Sequence, residues 1–591
     1  MATTSGIAVP MIGDDARAAE HMQRVAALEQ RLSLWTPTWQ EIAELGMARK
    51  ANINLRRSVG TPQTERQLDS TMTHAGELLA ASMQGSLTSG SITWFYFRVR
   101  GLVTGIDPEA DKYLEDAGEA AYDELRQSNF ASQAHEFYAD LGMIGTAAMF
   151  MSRVDGLPGK TWNGVEFKTL MPGSYTIAEN TSGRVDTLYY RFKLSARTAV
   201  TRWDPGFADG NSNGKLPEKI YKAMESPKTA DTEFEFVHGV FPRNDPWLTR
   251  KLRVIAPKKR PWASLWMSAD NPKILEEGGF YKFPYAVARW TKASGEEYGR
   301  SPGYTALPDA KTLNKLIELK LRALANMVHP PLKVRDAGVI GTVRLSPGAL
   351  THVRDMDAVE PLKLAAAIDT AVMEIKSLQE QIRRVFFADQ LQLQEGPQMT
   401  AYEVQVRYEL MQRILGPTLG RLEVEFLEPV VEWVYDTMDR AKRFPMMPAT
   451  LAEYVNKNGG RMDIEYEGPL QRAQRLANVV TIQRFSQLVL PLVEADPEVM
   501  DGWDLDETLL IAAKDTGVPK KIIRSAEARD KRRADRRAAQ AQQQQQQNTV
   551  ESAKAAGAAA PALKAFGEAA KSGILPAGGV TGQGVPAGGI Q

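Results

Sequence analysis

The 591-residue chain contains no cysteine. That excludes disulfides, thiolate metal sites and cysteine nucleophiles, and it is compatible with a reducing cytoplasm. Excess charge is also missing: 72 Lys and Arg balance 72 Asp and Glu. No apolar run approaches the roughly 18 residues that a membrane-spanning helix needs. The start, MATTSGIAVPMIGDDARAAEHM, lacks the basic beginning and apolar core of a signal peptide, so a soluble, intracellularly made protein is expected. The histidines, at 21, 74, 135, 238, 329 and 352, show no HExxH or other close pairing, which leaves zinc hydrolysis without support.

Two apparent enzyme motifs lack their context. DGLPGKTW ends in the Gly-Lys-Thr of a phosphate loop, but Val154 stands where the first glycine belongs, and the segment reads as a hairpin turn. GNSNG, Gly210 to Gly214, matches a nucleophile elbow around Ser212 but sits in a polar stretch with no apolar strand before it, so a surface loop is expected. No catalytic residue, cofactor or metal site is predicted.

A chain this long exceeds what one core supports, so several subdomains are expected. Residues 15 to 57 have helical patterning, with Thr36 and Pro37 as N-cap and first-turn proline of TWQEIAEL. From 61 to 140 helices alternate with the short strand WFYFRVR. Between 144 and 290, GTAAMFMSRVDG, VEFKTLMPGSYTIAEN, VDTLYYRFKLSA, TEFEFVHGVFPR and FPYAVARWT carry β-branched and aromatic residues between turns. The class is α+β, mainly helical. Beyond 468 a small helical domain is expected. After about 530 the composition turns to RDKRRADRRAAQAQQQQQQ and then to Ala, Gly and Pro, which cannot bury enough apolar surface to fold alone.

The most informative stretch starts at SGEEYGRSPGY. A helix begins soon after Tyr304 and runs to about Val328, where Pro330 and Pro331 stop it. Leu313, Leu316, Ile317, Leu321, Leu324 and Val328 recur at helical spacing, while Lys311, Lys315 and Arg322 share another face. PPLKVRD and GTVRLSPGAL follow as short strands of a compact insert. A second helix after Pro361 carries Ile368, Val372, Ile375, Ile382 and Phe386 as a heptad-like stripe interrupted by Gln379, which calls for another helix alongside. The loop ADQLQLQEGPQM is closed by Thr400 and Glu403 in capping-box spacing. The long helix it starts reaches about Met438, with Gly416, Pro417 and Pro429 expected to kink it. Periodicity alone also fits two core helices of an ordinary bundle.

These residues resemble the portal, or head-to-tail connector, proteins of short-tailed, T7-like bacteriophages. Glu297, Tyr298, Gly299, Arg300 and Ser301 match a GxSYGRS-like entry to the first stem helix, and Thr400, Ala401, Tyr402 and Glu403 match a TAxE start of the long helix. Asp69 to Phe95 is similar to the family's early helix and Trp-containing strand, and SNFASQAHEFYADLGMIGTAAMFM to its next helix and Gly-rich entry to the sheet. The match covers roughly residues 20 to 530, in order.

The resemblance implies a portal fold that forms a ring. Residues 1–60 would be an N-terminal helical segment, 61–300 an α+β wing, 301–330 and 363–388 the stem helices and 331–362 the clip. Residues 389–399 would be a tunnel loop, 400–445 a long kinked wing helix, 446–530 a crown and 531–591 a disordered tail. It further implies a homododecamer at one capsid vertex, assembled in the host cytoplasm. Its expected partners are a terminase packaging motor that holds the ATPase, tail adaptors, capsid and scaffolding proteins, and double-stranded DNA contacted without sequence specificity. Channel candidates are Lys311, Lys315, Arg322, Gln390, Gln392 and Gln394, and clip candidates for motor or tail contact are Lys333, Arg335, Arg344 and Arg354. The basic cluster with Arg532, Arg533, Arg536 and Arg537 would touch packaged DNA or be a solvated helix end. Net neutrality suits a conduit, because each neutralised phosphate adds a counterion-release contribution that would hold DNA still. Two rivals stand beside this: a helical nucleic-acid-binding scaffold that is not a ring, and a nucleotide-dependent enzyme.

Overall fold

The computed structural model describes residues 14–54, 66–90, 93–98, 108–154, 162–243, 256–335, 339–340, 343, 352–353, 357, 359–361, 368–388, 416, 418–457, 463–466, 479, 481–489, 491, 503–516 and 529–549. The chain divides into two compact units, Met1–Gln474 and Arg475–Gln591. Among the described residues no helix is long and apolar enough to cross a membrane.

The first unit opens with α1 (Asp14–Leu32) and α2 (Thr36–Gly46). The expected cap at Thr36 is corrected here. Trp35 is already in the helical region, with φ −97° and ψ −34°, and no side chain caps α2. The connection from α1 is a tight turn in which Trp35 N–H donates to Leu32 O, and Trp35 O accepts the first helical bond, from Trp39 N–H. Thr36 is instead the first helical residue, and its hydroxyl turns back to Ser33 O. Pro37 does occupy the first turn, where its missing N–H costs nothing.

Three further helices follow, α3 (Thr71–Leu87), α4 (Pro108–Gln127) and α5 (Phe130–Ile144), with β1 (Phe95–Arg98) between the first two. The strands are β2 (Thr146–Arg153), β3 (Val165–Thr169), β4 (Tyr175–Glu179), β5 (Val185–Ser195), β6 (Glu233–Pro242), β7 (Trp262–Ser268), β8 (Lys273–Phe280) and β9 (Tyr285–Arg289). They form an antiparallel three-stranded sheet in the order β3-β2-β9 and an antiparallel five-stranded sheet in the order β4-β5-β6-β7-β8. Side chains of a strand alternate between faces, and the larger sheet uses both. On one face Tyr189, Val237, Leu265 and Met267 pack under α1 through Ala18, Val25 and Leu28. On the other Phe236 and Leu275 meet α6 (Ala196–Trp203) and α7 (Glu218–Met224).

The largest core joins α3, α5 and the smaller sheet to two long helices, α8 (Pro302–Val328) and α9 (Ile368–Val385). Ala306, Leu307, Ala310 and Leu313 enter it from α8; Ile375, Leu378, Ile382 and Phe386 enter from α9 and the turn after it. Between the two helices lie β10 (Leu332–Val334), β11 (Val339–Ile340), β12 (His352–Val353) and β13 (Val359–Pro361), paired β10 with β13 and β11 with β12. Of GTVRLSPGAL only Val343 is among the described residues.

The long helix is described from residue 418 onward, and its expected start at Thr400 and Glu403, like Pro417, lies outside the described residues. It widens to a π turn at Glu423–Leu427 before α10 (Glu428–Arg440). Pro429 stands just after that turn, where the wider ladder accommodates a residue that cannot donate. Phe426 enters the core stacked on Phe137, with ring centroids 4.0 Å apart.

Two expected boundaries move. Residues 446–474, assigned by sequence to the crown, belong to the first unit, where β14 (Asp463–Tyr466) pairs antiparallel with β1. A strand edge finds its partner by register rather than by nearness in sequence, so composition gave no warning. Residues 529–549, expected to be without structure from 531, are helical and exposed along nearly their whole length. Ala, Arg and Gln are strong helix formers, so the segment forms a helix without burying a core.

Candidate functional site

The motif Glu297 to Ser301 seats the foot of α8 on the junction between α5 and β2. Gly145 ends α5 at φ +92°, a left-handed conformation that favours glycine. Its backbone and that of Gly299 approach so closely that a Cβ on Gly145 would lie 2.6 Å from Gly299 O, and one on Gly299 2.4 Å from Gly145 O. Gly299 N–H donates to Thr146 Oγ1 at 2.8 Å, and the Ser301 hydroxyl donates to Met143 O at 2.5 Å. Tyr298 is buried between Trp35 and Trp39, its hydroxyl accepting from Ile177 N–H, and burial pushes its own ionisation well above the usual range. Arg300 pairs with Glu296 at 2.7 Å and lies over Trp35. Two sequence segments that looked independent thus form one joint.

From this joint α8 extends 27 residues, about 40 Å at 1.5 Å per residue. Its apolar stripe divides along that length. Leu313 is buried, Leu316 and Ile317 are half-buried against the core, and Leu321, Leu324, Met327 and Val328 are exposed in the single chain, Val328 at 72%. On α9, Met373 is 74% exposed. The outer half of the helix pair presents apolar surface that its own chain does not cover.

The three predicted channel cations are all paired within the chain. Lys311 Nζ meets Glu41 at 2.6 Å, whereas Lys315 and Arg322 share Glu318 at 2.8 and 2.5 Å. Those two cations hold the Glu318 carboxyl below its ordinary range, Lys315 most of all. Glu41 and Glu318 were not singled out from sequence; Glu318 stands three and four residues from its partners, a spacing that does signal pairing on a helix. Gln390, Gln392 and Gln394 lie outside the described residues, as do Arg344 and Arg354. Of the insert candidates, Lys333 stands opposite Glu360 across the β10–β13 ladder, and Arg335, just after β10, is exposed. In the second unit Arg533 forms a two-pronged pair with Asp506, 2.6 Å on each side, and Arg529 reaches the same carboxylate at 3.5 Å. Arg532, Arg536 and Arg537 are exposed on the same helix.

The enzyme-like motifs acquire structural settings. Residues 155–161, which hold the Gly-Lys-Thr, lie outside the described residues, but they connect the antiparallel neighbours β2 and β3 rather than a strand and a helix. The Ser212 hydroxyl donates to Asp204 at 2.5 Å in a loop that Tyr221 also ties to Asp204. Among the described residues no group of three or more His, Asp and Glu side chains is placed to hold a metal ion.

Comparison with known proteins agrees with this architecture. Residues 18–523 match the family model described as bacteriophage head to tail connecting protein. The chain is 27% identical over 522 residues to a probable portal protein of Bordetella phage BPP-1, covering 85% of this chain and 88% of that protein. It is 25% identical over 475 residues to the portal protein of Salmonella phage epsilon15, covering 77% and 79%. A chain from the virion of a native gene transfer agent particle aligns over 72% of this chain and 86% of its own length, at 10% identity and a TM-score of 0.29, too slight a likeness to argue from. On the family match over most of its length, this chain belongs to the bacteriophage head-to-tail connecting proteins.

Proposed function

We propose that this protein is the portal of a phage virion, a ring at one capsid vertex through which DNA is packaged and later ejected and to which the tail attaches. The observation that carries the reading is the long helix pair whose outer half exposes Leu321, Leu324, Met327 and Val328 to solvent in a single chain. An apolar face of that kind on a virion component is covered by another protein. In a ring the occupant is the next copy, because a heterologous contact with a fixed rotation closes on itself.

In this reading α8 and α9 are the stem, the β10 to β13 insert is the clip, and the sheets with the long helix are the wing. The second unit lies in the crown. Twelve copies, a separate terminase motor carrying the ATPase, tail adaptors and DNA in the lumen complete the proposal. The chain itself performs no catalysis. Because Lys311, Lys315 and Arg322 each have an acidic partner in the chain, the stem offers DNA a nearly neutral wall, which limits counterion release and lets the duplex slide.

The test is a double variant, Leu321→Glu with Val328→Glu, followed by native mass spectrometry. Both side chains are exposed, so the two substitutions together should change the stability of the single chain by no more than about 1 kcal/mol. The parent should give a closed oligomer and the variant single chains. A variant that assembles like the parent would remove the stem face from the subunit contact.

A further inference from the structure

Residues 66–69 cross from α2 towards α3 over the foot of the α8–α9 pair, and four helices hold them. The side-chain amide of Asn314 on α8 grips backbone: its Oδ1 accepts from Leu68 N–H at 2.7 Å, and its Nδ2 donates to Arg66 O at 2.6 Å. On α9, Gln379 Nε2 donates to Asp69 Oδ2 at 2.8 Å. The other oxygen of Asp69 accepts from Thr71 N–H at the start of α3, and Gln67 reaches Thr73 on the same helix. Arg66 pairs with Glu44 of α2 at 2.9 Å. Beside the segment lies a cleft of about 490 Å³ lined by Glu41, Glu44, Arg66, Lys311, Asn314 and Glu318. Leu45 and Leu68 also line it.

Gln379 is the residue that interrupts the apolar stripe of α9, and Leu378 takes its place in the core. A leucine at 379 would add apolar area, but apolar contact is non-directional and would let the pair slide on the body. Hydrogen bonds weaken steeply with angle, so bonds from both helices to one short segment select one orientation. We propose that residues 66–69 are a strap that fixes the angle at which the stem pair leaves the body, with Asn314 and Gln379 as its positioning residues. The consequence for a channel rests on the portal reading; the contacts do not.

Amide hydrogen exchange on the full chain tests this whether or not rings form. In Asn314→Leu with Gln379→Leu three hydrogen bonds of roughly 1 kcal/mol each are lost, so the Leu68 amide should exchange on the order of a hundredfold faster. The amides of α9 from Ile375 to Ile382 should accelerate with it, because the strap and the pair move as one unit. Asp69→Asn keeps one oxygen to accept from Thr71 N–H and turns an NH2 donor towards Gln379, whose amide can flip so that its Oε1 accepts; it should exchange like the parent. Asn314→Asp keeps the acceptor for Leu68 but loses the donor to Arg66 O, and should fall between. Faster exchange at Leu68 with α9 unchanged would make the strap a passive segment and overturn the proposal. So would an Asp69→Asn chain as fast as the double variant, since charge and not hydrogen bonding would then hold the strap.

Discussion

His238 on β6 lies in the core with Nδ1 2.7 Å from the Tyr285 hydroxyl, Nε2 3.0 Å from Ser264 Oγ, and its ring stacked on Trp266. Burial, reinforced by the charge of Arg202, lowers its pKa from 6.5 to about 3. The folded protein therefore keeps it neutral where an unfolded chain would protonate it. Its contribution to stability is complete above pH 6.5 and is lost as pH falls from 6.5 towards 3, reaching on the order of several kcal/mol. Urea unfolding at stepped pH should show this fall in the parent and a shallower one in His238→Gln; equal slopes would refute the assignment. Nothing in the sequence marked this residue, because its partners stand 26 and 47 positions away. The same holds for Asp140, whose buried carboxyl is pushed up to about 7 by desolvation despite Lys50 at 2.6 Å. Gly299 and Ser301 were visible as a motif, but their purpose became plain only with Met143 and Gly145 placed beneath them.

Helices were the most legible elements, since a period of 3.6 residues is written into contiguous sequence. α8 ends at Val328 as Pro330 and Pro331 require, and its apolar stripe was recognisable, although periodicity cannot say which half of a stripe its own chain covers. Caps were less legible: Thr36 has the right chemistry, but the helix starts one residue earlier and Trp35 stands at its cap position. The π turn had no signal beyond Pro429. It carries Glu425 to the outer, buried edge of β9, where it accepts from both the backbone and the guanidinium of Arg289. Arg289 is 1% exposed and also meets Glu179 and the carbonyl of Gly183, so one buried cation joins the long helix to both sheets. Replacing it with methionine leaves Glu425 without its buried cation, while Glu179 keeps Lys292 at 2.6 Å, and should cost about 3 kcal/mol. Denaturant unfolding reads that loss, and a change below about 1 kcal/mol would show that the long helix is held by apolar packing instead.

Across the whole molecule, the order of elements was legible where contacts are local and was lost where they are not. In the larger sheet β4 to β8 pair in chain order, and the five segments read from sequence fall on β2 to β6 and β9, whereas β7 and β8 and the return of β9 to β2 were not read. The pairing of β14 with β1 spans most of the chain, so the boundary between the two units was misjudged. The apolar outer face of the α8–α9 pair is exposed in the single chain, and in the proposed portal the next copy in the ring would cover it. The most direct measurement is an electron micrograph of the purified protein under assembly conditions. This account predicts rings with a central hole, their subunits related by rotation about it. Particles that remain single chains or open filaments without a hole under every assembly condition would contradict it.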